Sequence, residues 1–180
     1  MYAPHPASGL RRLEDETRAA PYWAYVWSGG AVLARHLAAK PGLVAGRAVL
    51  DLGSGCGIVA IAAARAGAVR VYATDLDRYA VAATALNAAA NGVEVELVAG
   101  LDPLPRPDLV LAGDVFYDAR TARRTILQLD RFIAAGTPVF VGDPGRKHLP
   151  LARLEPIAVY DNVPEFGGGT VPATVFAWRG

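Results

Sequence analysis

The stretch "VLDLGSGCG" (residues 49–57) sets three glycines at alternate positions directly behind an apolar run that carries Asp51. Glycine takes positive φ without strain and has no Cβ, so a turn built from it lets a bound molecule approach the main chain. The run before it, "RAVLDL" (47–52), reads as a buried strand, and the alanine-rich "GIVAIAAARAGA" after it reads as a helix stopped by Gly67. A strand, a glycine turn and a helix in that order open a βαβ unit.

Working outward, the alternation continues. "VRVYATD" (69–75) is strand-like, Asp77 is placed to cap the helix "RYAVAATALNAAAN" that Gly92 ends, and "VEVELVA" (93–99) alternates as a third strand. After the proline-rich "LDPLPRP" (101–107) come a fourth strand "DLVLAGD" (108–114), the helix "ARTARRTILQLDRFIAA", and a fifth strand "PVFVGD" (138–143). Strand and helix in alternation predict a parallel, doubly wound α/β sheet. "IAVYDNV" and "ATVFAWR", on either side of Gly167–Gly169, have room for a hairpin but not for a helix, so an antiparallel pair should close the sheet at its edge.

Composition bounds the rest. The 180 residues are 53% hydrophobic with net charge +1, which predicts a single domain over 1–180, with an N-terminal lid and helix region (1–45) leading into a core (46–180). No Lys/Arg run marks a nucleic-acid footprint. The lone cysteine, Cys56, excludes an internal disulfide, and no Cys/His cluster suggests a metal. With no apolar stretch of about 20 residues and no signal pattern, the expectation is a cytoplasmic monomer away from membranes.

In such a sheet, ligands sit beyond the carboxyl ends of the strands. Gly53–Gly57, Asp75 and Asp114 each follow a strand and should meet at that edge. A dinucleotide fingerprint needs G-x-G-x-x-G, whereas Gly53, Gly55 and Gly57 are one residue tighter. Asp51 would oppose a pyrophosphate, yet suits the ammonium of S-adenosylmethionine, and Asp75 can accept ribose hydroxyls of either nucleotide. As a plain structural alternative, Asp51, Asp75 and Asp114 act as helix caps, with Phe116 and Tyr117 as core aromatics.

These motifs resemble the seven-strand, Rossmann-like methyltransferases that use S-adenosylmethionine: "VLDLGSGCG" looks like their first motif and "YATDLD" (72–77) like their second. "PYWAYVWSGGAVLARHL" (21–37), "LNAAANGV" (86–93), "LAGDVFYD" (111–118) and "GDPGRKHLP" (142–150) are similar to the bacterial relatives of the electron transfer flavoprotein beta-subunit lysine methyltransferases. The resemblance implies strand order 3-2-1-4-5-7-6 and S-adenosylmethionine as cofactor, leaving S-adenosylhomocysteine. It implies cofactor contacts at Trp27, Asp51, Gly53, Ser54, Gly55, Gly57, Asp75 and Leu76, with Leu101 or Asp102 on the adenine side. It further implies that Asp114 and Tyr117 face the methyl group and carry catalysis. The implied substrate is the flavoprotein beta subunit; a ribosomal protein or small amine, and more remotely an NAD-dependent oxidoreductase or a nucleoside-binding module, stand as alternatives.

Where methyltransferases acting on planar amino nitrogens often carry "NPPY", this chain has Asp114, Val115, Phe116 and Tyr117. An acidic residue there favours a nucleophile that arrives as a cation and must shed a proton, as a lysine does. Phe116 and, from its place after the fifth strand, Arg146 are candidate substrate contacts. Trp23, Tyr25 and Trp27 could form a lid over the cofactor, which would bury them. His5, His36 and His148 are dispersed and expected at surface or satisfied core positions, and Cys56 fills a place that needs a small residue.

Overall fold

A computed structural model describes residues 1–2, 10, 21–102 and 104–179; most of the expected N-terminal region before Pro21, His5 included, and Pro103 of the proline-rich loop lie outside them. Helix α1 spans Ser28–Ala39. Strand β1 (Ala48–Leu52), α2 (Ile58–Arg65), β2 (Arg70–Thr74), α3 (Arg78–Ala90) and β3 (Glu96–Leu97) follow. The second half comprises β4 (Leu109–Gly113), α4 (Ala119–Ala134), β5 (Val139–Asp143), β6 (Leu154–Glu165) and β7 (Gly169–Trp178). The sheet order is β3-β2-β1-β4-β5-β7-β6, as expected, parallel from β3 to β5 and antiparallel at β5-β7 and β7-β6.

Period-two alternation divides each central strand between two cores. Val49, Leu109 and Leu111 pack with Val32, Leu33 and Leu37 of α1 and Val59, Ala60 and Ala63 of α2. Leu50, Leu52, Val110 and Ala112 face the other way, onto Ala122 and Leu129 of α4. Both faces of the parallel strands are covered, which is why "LVLA" (109–112) in β4 is apolar throughout.

Two elements differ in extent from the sequence reading. Only Glu96 and Leu97 of "VEVELVA" form strand, paired to Tyr72 and Ala73: β3 is an edge with a ladder on one side only, and Glu96, like Glu94 before it, is exposed. The closing hairpin is longer than expected, because β6 runs 12 residues with register shifts between Pro156 and Ala158 and between Tyr160 and Val163. Those shifts let a proline-bearing edge strand stay paired. Among the described residues, no helix is long and apolar enough to cross a membrane.

Helix α1 approaches the sheet at backbone distance. A Cβ on Gly29 would fall 2.3 Å from the Gly142 carbonyl, and one on Gly113 would fall 2.7 Å from Gly30 Cα. Glycines on both surfaces thus set the N-terminus of α1 directly over the ends of β4 and β5.

Candidate active site

The glycine turn adopts positive φ at Gly53 (77°), Gly55 (52°) and Gly57 (81°), the left-handed region that other residues enter at a cost. It is pinned on one side by β2, since Gly53 and Ser54 N–H groups donate to Thr74 O at 2.9 and 3.1 Å. On the other side α3 holds it. Thr84 Oγ1 donates to Gly55 O at 3.2 Å and meets Ser54 Oγ at 3.1 Å, and Asn87 Nδ2 donates to Cys56 O at 2.8 Å. A Cβ on Gly57 would press on Thr84 at about 3 Å, whereas one on Gly55 would meet no atom within 4 Å. Gly55 therefore turns an open backbone outward, at the place where a ligand would lie.

Asp75 brackets that opening. Its Oδ2 accepts the Gly55 N–H at 2.9 Å and its Oδ1 the Asp77 N–H at 3.0 Å, while neighbouring Leu76 is 68% exposed. Cap duty for α3 belongs to Asp77, which accepts from Tyr79 N. Beneath the turn, Asp51 is 1% exposed and accepts the Ala60 N–H at 2.9 Å, so it does tie down the first turn of α2. Burial pushes its carboxyl up to about 7, against the Ala60 hydrogen bond, and Asp75 adds to the rise. An ammonium placed near a buried carboxylate favours its charged form.

The second half of the site stands over β4 and β5. Asp114 has φ 56°, rare outside glycine; its N–H donates to Gly142 O at 3.0 Å and its Oδ2 accepts the Gly29 N–H at 3.0 Å. Arg146 donates to the same carboxylate from Nε at 2.7 Å and Nη2 at 3.0 Å. Asp114 does not cap α4: Asp118 does, accepting from Arg120 and Thr121 N–H groups. Arg146 is itself placed by Asp143, whose Oδ1 accepts the Gly145 and Arg146 N–H groups at 2.6 and 2.7 Å. Asp143 Oδ2 is buried without a partner among the described residues; burial lifts that carboxyl to about 6, against the two backbone hydrogen bonds, with Asp114 adding to the rise. The same Arg146 Nη2 reaches both oxygens of Glu165 at 3.4 Å.

Aromatic rings form the rim. Tyr117 stacks on Tyr22 at 5.4 Å, Tyr22 meets Trp27 at 5.7 Å, Trp27 meets Phe166 at 5.3 Å, and Phe166 meets Tyr25 at 4.4 Å. The Arg146 guanidinium lies 5.8 Å from the Trp27 ring centre. Burial raises the Tyr117 hydroxyl pKa, partly offset by Thr121. Trp23 belongs to a different contact, stacked on Tyr79 of α3 at 6.0 Å. The three aromatics expected as a lid are half-buried against other rings.

Not every candidate from the sequence reaches this edge. Phe116, expected to touch substrate, is 0% exposed and stacked on Trp178 at 6.1 Å; the β4–α4 turn points it inward, so it is a core aromatic. Asp102 pairs with Arg131 at 3.1 Å, near the far end of α4 and about 20 Å along the helix from its Asp118 cap. Leu101 packs against the core on α4's side. The chain after β3 thus brings both residues to the side of the sheet that α4 covers. Arg146, read as a substrate contact, does stand at this edge and directs Nε and Nη2 to Asp114 and Glu165. Cys56 is buried with its thiol pushed up to about 11, mainly by burial, and His36 Nδ1 lies 2.9 Å from the Tyr160 hydroxyl. Both are structural.

Sequence reasoning missed Thr84, Asn87, Ser28, Gly29 and Glu165. Polar residues at i and i+3 in an alanine-rich helix were a usable signal for the first two. Glu165 had none, because only the hairpin register brings it here.

The sequence model of the ribosomal protein L11 methyltransferase (PrmA) family matches residues 38–113. The electron transfer flavoprotein beta subunit lysine methyltransferase of Xenopus laevis is 40% identical over 172 residues, covering 88% of this chain and 70% of its own. Its Rattus norvegicus counterpart is 43% identical over 139 residues, covering 70% of this chain and 51% of its own, so this chain spans about half the length of that relative. Among solved structures, a ribosomal protein L11 methylase from Lactobacillus delbrueckii subsp. bulgaricus superposes with TM-score 0.58 at 25% identity, over 82% of this chain and 77% of that one.

Proposed function

The chain belongs to the family of electron transfer flavoprotein beta subunit lysine methyltransferases, and from that membership we propose that it transfers a methyl group from S-adenosylmethionine to a lysine of a protein substrate, the flavoprotein beta subunit. The observation that carries this reading is Asp51, a buried carboxylate under an outward-facing glycine turn, which favours a ligand with an ammonium group over one with a pyrophosphate.

The residues fit the cofactor. Asp51 and the turn Gly53, Ser54, Gly55 and Gly57 would hold the amino-acid end, Asp75 the ribose hydroxyls, exposed Leu76 the adenine plane, and Trp27 the methionine side. When bound, S-adenosylmethionine supplies a methyl group already activated on a sulfonium, so no metal is required. Asp114 keeps Gly29 and Arg146 in fixed positions beside that end of the site, and Tyr117 with Tyr22 forms the wall along which a long side chain would enter. Holding nucleophile and methyl in line is the protein's main contribution to rate.

The L11 methyltransferase match stops at Gly113, one residue before Asp114. It therefore speaks for the cofactor half of the sheet and is silent on the acceptor half, whereas the lysine methyltransferase relatives extend across both. That favours the flavoprotein over a ribosomal substrate. The test incubates purified beta subunit and ribosomal protein L11 separately with the protein and labelled cofactor. Label on a lysine of the beta subunit is expected; label on L11 alone would reverse the assignment.

A further inference from the structure

Five carboxylates gather along the carboxyl edge, and a substrate cation can use only one that still has an open side. Asp51 and Asp143 are each 1% exposed. Asp75 stands beside the glycine turn, where the cofactor reading gives it the ribose hydroxyls. Asp114 already accepts Gly29 N–H and two donors from Arg146, and its side chain is 6% exposed. Glu165 differs. Its side chain is 19% exposed, and its bonds to Arg146 are long, 3.4 Å, against 2.7 Å for the Arg146–Asp114 bond.

Charge leads to the same residue. One guanidinium serves two carboxylates, Asp114 and Glu165, leaving one negative charge of that trio without a counterion among the described residues, and Glu165 is its accessible end. Ser28 Oγ donates to Glu165 Oε2 at 2.6 Å and the Phe166 N–H to Oε1 at 3.1 Å. Burial opposes ionisation there, but these two bonds and Arg146 together hold the carboxyl below its ordinary range. Aromatic faces stand beside it: Phe166, 53% exposed at the hairpin tip, meets Trp27 at 5.3 Å. A carboxylate flanked by aromatic faces is the surrounding an ammonium prefers.

We propose that Glu165, with Phe166 and Trp27, is the contact for the substrate lysine's ammonium, and that Asp114 acts one step back, fixing Arg146 and through it Glu165. This rests on the reading of the site as a lysine methyltransferase. It makes the tip of the β6–β7 hairpin part of the acceptor site.

The experiment uses the full chain saturated with S-adenosylhomocysteine and the Glu165→Gln variant, whose amide oxygen still accepts from Ser28, so that the hairpin keeps its clasp. In an NMR titration with Nα-acetyl-lysine methylamide, the Phe166 and Gly167 amides should shift in the parent, and the variant should bind about tenfold more weakly, the loss expected for a hydrogen bond to a charged group. S-adenosylhomocysteine affinity should be equal in both. In methylation of the beta subunit, the variant's KM should rise by a similar factor. Equal lysine-amide affinity in parent and variant, or shifts confined to residues remote from the hairpin tip, would overturn the proposal. A parent that binds the amide at Phe166 yet methylates no protein would instead overturn the reading of function and leave Glu165 as a cation contact.

Discussion

Asp51 is an acid whose folded-state pKa, about 7, lies above the ordinary 3.8. A carboxyl raised in this way stabilises the fold fully below its unfolded value, and the contribution disappears as pH climbs through the folded value. Asp143, raised to about 6, adds a loss of the same sign. The ligand-free protein should therefore lose stability between about pH 4 and pH 7, and Asp51→Asn should flatten that loss in urea midpoints measured across the range. Identical slopes in parent and variant would show that Asp51 ionises without penalty. Ligand binding has the reverse dependence, because an ammonium needs the charged form: S-adenosylhomocysteine affinity should fall by up to about tenfold per unit below pH 7, with proton release visible by calorimetry in buffers of different ionisation enthalpy. At Asp114 the expectation is different. Asp114→Asn keeps an acceptor for Gly29 but leaves Arg146 without its closest anion, so cofactor-product affinity should hold while turnover drops by about 10², the scale of a displaced substrate group. Raising the pH from 7 to 10 should not restore it. Alkaline rescue would reassign Asp114 from positioning to proton handling.

At the level of elements, the N-terminus of α1 is the most constrained contact. Gly29→Ala would place a Cβ 2.3 Å from Gly142 O and 2.4 Å from Asp114 N, backbone atoms that cannot move aside singly. A loss of about 1–3 kcal/mol or more is expected from this overpacking, together with weakened S-adenosylhomocysteine binding, since the β4 end would shift. Gly42→Ala, with no atom within 4 Å of its Cβ, is the control and should change the thermal midpoint little. The cap of α4 separates scaffold from site in the same way. Asp118→Ala should cost about 1 kcal/mol of stability, the usual value for a lost N-cap, with unchanged cofactor-product affinity. A large affinity loss there would mean that α4 contributes to the ligand edge directly.

For the whole molecule, any ligand that binds only the folded state stabilises it by mass action. S-adenosylhomocysteine at about 100 times its dissociation constant should add roughly 2.7 kcal/mol, seen as a raised thermal midpoint, and NAD should add none. A shift with NAD and none with S-adenosylhomocysteine would refute the methyltransferase assignment as a whole. The molecule divides its labour along the sheet: β2 and β1 carry Asp75, Asp51 and the glycine turn, whereas β4, β5 and the β6 end carry Asp114, Asp143 and Glu165. Helix α1 seals the boundary between the halves, with Gly29 on Asp114 and Ser28 on Glu165.

The order of elements and the glycine turn with its flanking acids were legible from the sequence, because both depend on local rules. Buried parallel strands read as short apolar runs, Asp77 caps the helix that follows it, and a glycine turn at 53–57 has its chemistry within a few residues. Strand order followed from resemblance to a family. The surroundings of Asp114 were decided by tertiary structure. Phe116 and Tyr117 are adjacent in sequence, yet one is 0% and the other 47% exposed, a division set by the turn after β4 and by Trp178 arriving from the last strand. Asp114 reads as a free acid in the chain and becomes a bonded one only when Arg146 and Gly29 come within 3.0 Å of it. Glu165 stands 137 positions from Ser28, and no periodicity or spacing links residues so distant. Local propensity is written in neighbours along the chain, while charge balance and exposure depend on neighbours in space.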